Sequence, residues 1–400
     1  MHPVKIEVKR LVKVFGDHPT KALALLAKGL GKEEILAQTG QTVAVADVSF
    51  DIREGEIFVL MGLSGSGKST ILRCLNRLIK PTSGSILVDG EDITTFNEQQ
   101  LREIRRKKLG MVFQQFALFP HRTVLDNAAY GLEVQGVPRK EREERARVVL
   151  ETVGLQGWEQ AYPNQLSGGM QQRVGLARAL VCEPDVLLMD EAFSGLDPLI
   201  RREMQNELLA LQDRVNKTIV FVTHDLDEAL KLGDRIALLK DGAVQQVGTP
   251  EEILMRPANE YVAKFVEDVD VSKVLTAEGV MKKPLVVLSQ KDGPHVGLRL
   301  MRENGLSSLF VVDRGGKLVG LVTADAAFAA VERGQQDLGG ILIRDVPTAR
   351  PETPVSELIH VLADAKYPVA VTDPNGRLVG VVVRGAVLAG LARRGKEVAV

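Results

Sequence analysis

The 400-residue sequence predicts an α/β fold, a mainly parallel sheet with helices on its faces, followed by a smaller tandem pair of α+β units. Three observations carry this. Apolar runs of strand length alternate with stretches of helical spacing through the first two thirds of the chain. Residues Gly62 to Ser69 spell GLSGSGKS between a predicted strand and a predicted helix. A segment beginning at Leu309 returns sixty residues later.

The elements follow in order. Val4 to Phe15 and Val43 to Ile52 place apolar residues at roughly alternate positions and read as a strand pair. Between them, residues 20–39 (TKALALLAKGLGKEEILAQT) carry leucines at helical spacing, predicting an insert of one or two short amphipathic helices that serves packing. Strands are then expected at Ile57 to Met61, Leu109 to Phe113, Val186 to Met189 and Thr218 to Thr223, with helices after Lys68, over 139–153 and over 169–182. The helix after Lys68 shows Ile71, Leu72, Leu75, Leu78 and Ile79 on one face, a core stripe. Composition shifts near 268–284. Beyond it, Leu309 to Val322 (LFVVDRGGKLVGLV) and Val369 to Val382 (VAVTDPNGRLVGVV) each read as a strand, a glycine-containing turn and a second strand.

Bulk numbers exclude several classes. With 45% hydrophobic and 26% charged residues the chain can bury a core, and 51 basic against 52 acidic residues leave a net charge of −1, so no global field draws it to nucleic acid or an anionic membrane. The run Arg102, Arg105, Arg106, Lys107, Lys108 is interrupted by Glu103 and reads as a solvated face. No apolar run approaches the roughly 20 residues that span a bilayer, and the N-terminus lacks a signal-peptide core. If the chain serves transport, other chains form the pore. Cys74 and Cys182 lie far apart, without a second ligand nearby, so neither a disulfide framework nor a zinc site is expected, and a reducing cytosol fits.

The chemistry starts at the GLSGSGKS segment, which matches the P-loop of nucleotide triphosphatases. Its glycines let backbone N–H groups turn inward around phosphates, and the following helix directs its positive end at the same anion. Gly62, Leu63, Ser64, Gly65, Ser66, Gly67, Lys68, Ser69 and Thr70 are therefore expected around ATP, with Lys68 on the β- and γ-phosphates and Ser69 on Mg²⁺. The strand Val186 to Met189 ends in two carboxylates. Asp190 is expected at Mg²⁺, and Glu191 toward the attacking water as general base.

With Leu166 to Gln171 (LSGGMQ) and His224 after a strand, the chain resembles the ABC ATPases, whose P-loop domain carries antiparallel β and helical subdomains. The resemblance implies that Ser167, Gly168 and Gly169 bind the γ-phosphate held by a second copy, giving two sites in a head-to-tail dimer. Met170 stands where that family usually has glutamine. Gln114 looks like the Q-loop glutamine near metal and water, although Gln115 beside it leaves a one-residue ambiguity; Ser194 to Asp197 resembles the D-loop, with Asp197 toward nucleotide, and His224 the switch histidine. Asp197 before Pro198 is also a helix start. Phe15 is the aromatic candidate for stacking on adenine, or else an edge-of-core ring.

The cluster Phe116, Leu118, Phe119, Pro120 resembles the surface on which importer ATPases receive a helix of the transmembrane permease, with an internal core contact as the alternative. The tail resembles a CBS pair, implying regulation through a nucleotide ligand in its clefts or a purely dimerising role. Gly320 and Thr323 fit the adenosine-binding pattern, Asp325 falls one residue early, and Val383 and Ala386 occupy the polar places in the second copy. The expected domains are 1–270 for the ABC ATPase with its insert, 280–336 for the first CBS repeat and 337–396 for the second. The whole architecture resembles the ATPases of glycine betaine/proline betaine uptake systems. That implies a peripheral protein on the cytoplasmic face of the membrane, partnered by permeases and an external solute-binding protein, with no nucleic acid. Importers of other small solutes, a soluble ABC ATPase acting on DNA or ribosomes, and a nucleotide-sensing scaffold remain the rival readings.

Overall fold

The computed structural model describes residues 2–114 and 116–392. The chain divides between Glu267 and Asp268 into two units.

The first unit is built on a six-stranded sheet in the spatial order Ala243–Gly248, Arg235–Lys240, Ile57–Gly62, Thr218–Thr223, Val186–Asp190, Leu109–Val112. Every neighbouring pair is parallel except the first, an antiparallel hairpin at the edge. Ile57–Gly62, Val186–Asp190 and Thr218–Thr223 are buried at every position, as required of parallel strands covered on both faces. Their register sets Met61 beside Thr223 and Asp190 beside Val222, so three strands end side by side on one edge. In open parallel sheets that carboxyl edge is where ligands bind.

An antiparallel sheet, Thr42–Arg53, Val4–Phe15, Ser83–Val88 and Glu91–Asp92, lies over the helix Lys68–Leu75. Ile6, Val45 and Ile52 from this sheet, Ile71, Leu72 and Leu75 from the helix, and Leu60, Leu188 and Val220 from the parallel sheet share one core. The helix is shorter than its sequence stripe predicts. It stops at Leu75, the chain turns through Arg77 at φ +55°, and Leu78, expected in the core, is 52% exposed. Ile79 returns to pack against the core.

The insert resolves as two helices, Pro19–Leu26 and Lys32–Thr39, separated by Gly29 in the left-handed region. Ala22 and Ile35 bury against Val12, Val14 and Val43, a satellite core. A helical layer of Val124–Val134, Arg139–Thr152 and Gly168–Leu180 completes the unit. Arg105, expected on a solvated face, instead donates to the carbonyls of Asn76 and Arg77. Among the described residues no helix is long and apolar enough to cross a membrane.

The second unit repeats one motif. Strands Ser308–Val312 and Leu318–Thr323 form an antiparallel hairpin flanked by helices Pro294–Asn304 and Ala324–Glu332, and Val369–Thr372 with Leu378–Val382 repeats it between Val355–Asp364 and Arg384–Ala392. Each turn is held by an aspartate that precedes the glycine: Asp313 accepts from the N–H of Gly315 and Lys317, Asp373 from those of Asn375 and Arg377. The two hairpin tips exchange hydrogen bonds reciprocally, Leu318 N–H to Gly376 and Leu378 N–H to Gly316, which places the repeats about a local twofold. Residues 393–396 of the expected second repeat lie outside the described residues.

Candidate active site

The loop between strand Ile57–Gly62 and helix Lys68–Leu75 curls because three of its glycines take positive φ, Gly62 at +150°, Gly65 at +78° and Gly67 at +96°. At Gly62 and Gly67 a side chain is also excluded by space. An added Cβ would lie 2.3 Å from the Leu239 carbonyl oxygen and 2.4 Å from that of Ala44. Leu63, Ser64 and Gly65 form the exposed crest, Thr70 is half-buried, and Ser66 is buried with its Oγ unpartnered among the described residues. The loop is braced from behind by Gly242, whose N–H donates to the Ser66 carbonyl.

Lys68 is buried, and its Nζ donates to the carbonyls of Gly62 (2.8 Å) and Leu63 (3.1 Å). Burial pushes its pKa down, while the carboxylates of Glu191 and Asp190 push it up; the net direction is down. Ser69 Oγ donates to Asp190 Oδ1 at 2.7 Å, and Arg73, one helical turn further, donates to Asp190 Oδ2 at 3.2 Å. The sequence reading missed Arg73, although its i+4 spacing from Ser69 is the signal that could have found it.

Glu191 is the meeting point. Its backbone stands at φ +46°, a conformation that costs a residue with a Cβ roughly 1–2 kcal/mol, and its N–H is tied to the Val222 carbonyl. The next turn is closed by Ser194 Oγ donating to the Glu191 carbonyl. From there the carboxylate lies 4.0 Å from Lys68 Nζ, accepts from Gln114 Nε2 at 3.1 Å, and stands 3.4 Å from His224 Nδ1. Lys68, Ser69, Gln114, Asp190, Glu191 and His224 thus form one connected group drawn from four separate stretches of the chain.

Other sequence candidates stand outside that group. Ser167 caps helix Gly168–Leu180, its Oγ accepting from Met170 N–H at 3.4 Å; Gly169 leaves only enough room for Ile200, since a Cβ there would come within 2.5 Å of it. Asp197 caps helix Pro198–Val215, accepting from the N–H of Leu199 and Ile200. Phe15 ends its strand 41% exposed, with the Lys13 ammonium 4.8 Å from the ring centre. Among the described residues, no hydrogen bond or ion pair joins Ser167, Gly168, Gly169, Asp197 or Phe15 to the Lys68 group. Phe119 packs on Tyr130 with ring centres 4.6 Å apart, and Asn127 brackets its backbone, so this part of the apolar cluster is held by its own helical layer.

The residues present fit a nucleotide triphosphate and its metal. The unpartnered Ser66 hydroxyl and a loop that tolerates no Cβ at Gly62 or Gly67 make a cradle for phosphate oxygens. The Ser69 hydroxyl and Asp190 carboxylate are hard oxygen donors of the kind Mg²⁺ takes together with substrate phosphates.

Comparison with known proteins agrees. The family pattern described as ABC transporter matches residues 45–194, and that of the CBS domain matches 277–333 and 338–393. The chain is 57% identical to the glycine betaine transport ATP-binding protein OpuAA of Bacillus subtilis, covering 98% of this chain and 93% of that one. The chain belongs to the ABC transporter ATP-binding proteins. It is 55% identical to the glycine betaine/carnitine transport ATP-binding protein GbuA of Listeria monocytogenes and 50% identical to ProV of Escherichia coli, a glycine betaine/proline betaine transport system ATP-binding protein, with 98% of each chain covered in both cases. Among solved structures, the dimeric post-hydrolysis state of the ATP-binding cassette MJ0796 bound to ADP and Pi is similar at 35% identity and a TM-score of 0.52, covering 61% of this chain and 98% of that one. This ABC protein is accordingly an ATPase that uses ATP with Mg²⁺, carrying a tandem CBS pair C-terminal to its P-loop unit in the sequence.

Proposed function

We propose that this ABC ATPase powers uptake of glycine betaine, proline betaine or a related compatible solute, acting as a head-to-tail dimer beneath membrane permeases on the cytoplasmic side. The relatives covering nearly its whole length are named for such transport. The observation that carries the motor reading is the convergence of Lys68, Gln114 and His224 on the Glu191 carboxylate.

In this reading Lys68 and the loop amides hold the β- and γ-phosphates, and Ser69 and Asp190 hold Mg²⁺, which supplies neutralisation of the charge that develops on phosphoryl transfer. Glu191 accepts a proton from the attacking water, Gln114 orients that water, and His224 bonds a γ-phosphate oxygen so that attack runs in line. Ser167, Gly168 and Gly169 lie at the N-terminus of a 13-residue helix, whose dipole favours an anion. Since they stand apart from the Lys68 group, they serve the phosphate held by a second copy, with Asp197 beside the joint and Phe15 stacked on adenine. Closure around two ATP molecules drives the permeases outward-open through the Phe116–Pro120 segment, and hydrolysis resets them. An external solute-binding protein delivers cargo. The repeats assigned to 280–336 and 337–396 regulate turnover, through a ligand other than simple adenosine or through dimerisation.

The test compares uptake of labelled glycine betaine after an osmotic upshift in cells carrying the wild-type chain or Glu191→Gln. Uptake is expected to vanish in the variant, which binds ATP and accumulates as a closed dimer. Equal uptake in both would sink the betaine assignment, and undiminished ATP turnover by the variant would remove Glu191 from its role.

A further inference from the structure

Four residues beyond His224 a carboxylate is buried that the catalytic reading does not use. Glu228 lies in the first turn of helix Leu226–Leu232 with 6% of its surface exposed. Oε2 accepts from the Thr223 hydroxyl and Oε1 from Gln205 Nε2 at 3.1 Å. The Thr223 hydroxyl in turn accepts from Asp225 N–H at 3.0 Å, so one oxygen clamps the backbone on both sides of His224. Gln205 is itself buried, belongs to helix Pro198–Val215, and accepts from Lys231 Nζ at 3.1 Å. A second link runs parallel to the first. Asp225 caps its helix through Glu228 N–H and pairs at 3.4 Å with Arg201, whose other nitrogen donates to the Leu196 carbonyl.

Burying a carboxylate is costly where an apolar side chain would pack without penalty, so the site pays in stability for what the two hydrogen bonds hold. Burial pushes the Glu228 carboxyl above its ordinary range against the opposing pull of Thr223 and Gln205. Both anchors lead to functional places, one to the backbone carrying His224, the other to the helix that starts at Asp197.

We propose that Glu228 is a positioning residue for His224, setting the histidine against the γ-phosphate through the Thr223 hydroxyl and tying its loop to the Asp197 helix through Gln205. The inference rests on the role given to His224 above. ATP binding does not need this bridge, because the P-loop and Phe15 lie on other elements; only the in-line alignment does. Dimer closure that shifts the Asp197 turn reaches His224 through it.

The experiment measures steady-state ATP turnover of the full-length protein with Glu228→Gln and Thr223→Val, each alone and combined with His224→Ala. Each single variant is expected to lower kcat by roughly tenfold to a hundredfold, the effect of a misplaced catalytic group, while KM for ATP and ATP-dependent dimerisation in the Glu191→Gln background change less than about twofold. Combined with His224→Ala, neither adds further loss, since nothing remains to position. Thr223→Val, nearly isosteric, decides the matter if Glu228→Gln lowers the melting temperature. Wild-type kcat in the single variants, or losses that multiply with that of His224→Ala, would overturn the positioning role alone. Wild-type turnover by His224→Ala itself would overturn the catalytic reading and the inference together.

Discussion

Alanine at Gly67 should damage this protein more than alanine at Gly65, and the difference can be worked from the loop's geometry. Both glycines hold positive φ, +96° and +78°. Forcing an L-residue there costs roughly 1–2 kcal/mol in either case. At Gly65 the new methyl meets open space, so the cost ends there; at Gly67 it meets the Ala44 carbonyl oxygen at 2.4 Å. That oxygen lies near the start of strand Thr42–Arg53, which is pinned two residues on by Ala46 N–H donating to the Gly242 carbonyl. Backbone so held cannot swing aside as a flexible side chain would. Overpacking of this kind adds about 1–3 kcal/mol, giving a total of about 2–5 kcal/mol for Gly67→Ala. For a unit of this size each kcal/mol lowers the melting midpoint by roughly 2–4 °C. Calorimetry of the two variants beside the wild type, with ATP affinity measured in parallel, reads both effects. Gly67→Ala is expected to melt lower than Gly65→Ala and to bind ATP at least about tenfold more weakly, a loss of only 1.4 kcal/mol. Two variants that melt together, or a Gly67→Ala protein with wild-type ATP affinity, would refute the steric argument.

Two further outcomes are expected. Phe15→Ala should raise KM for ATP by roughly tenfold with kcat unchanged, and Phe15→Trp should restore it, because stacking needs only a flat face; an unchanged KM would return Phe15 to the edge of the core. Cys74 should resist alkylation in the folded protein at pH 8, since burial pushes its thiol from 9.0 up to about 11. The folded state then keeps a proton the unfolded state has released, so stability is undiminished below pH 9, falls as pH rises toward 11, and levels off beyond. If the Cys74→Ala protein loses stability over that window as steeply as the wild type does, the thiol is not the cause.

Much of the candidate site was legible in the sequence. The GLSGSGKS loop, the Asp190–Glu191 pair and the repeat in the tail are local patterns, and local patterns survive being read in one dimension. The turn glycines of the second unit are visible too, whereas Asp313 and Asp373, which hold those turns by accepting two backbone N–H groups each, carry no comparably strong sequence signal. An Asx turn is a weaker pattern than Asn-Gly, and its aspartate reads as one more surface charge. Leu78 went astray for a related reason. A stripe of apolar residues does not show where a helix ends, and the end was set by Arg77 turning through positive φ.

By itself the sequence determined the α/β class, the phosphate loop, the candidates for binding a triphosphate and metal, and the division into a P-loop unit and a repeated tail. Each of these depends on residue type and spacing along the chain. Only the tertiary structure decided that Glu191 stands at φ +46° with Lys68, Gln114 and His224 around it, that Arg73 shares Asp190 with Ser69, and that Glu228 is buried between Thr223 and Gln205. Those relations follow from parallel pairing, which lays the ends of strands distant in sequence side by side. Register between strands is fixed by the packing of both faces of the sheet, and no single stretch of sequence contains it.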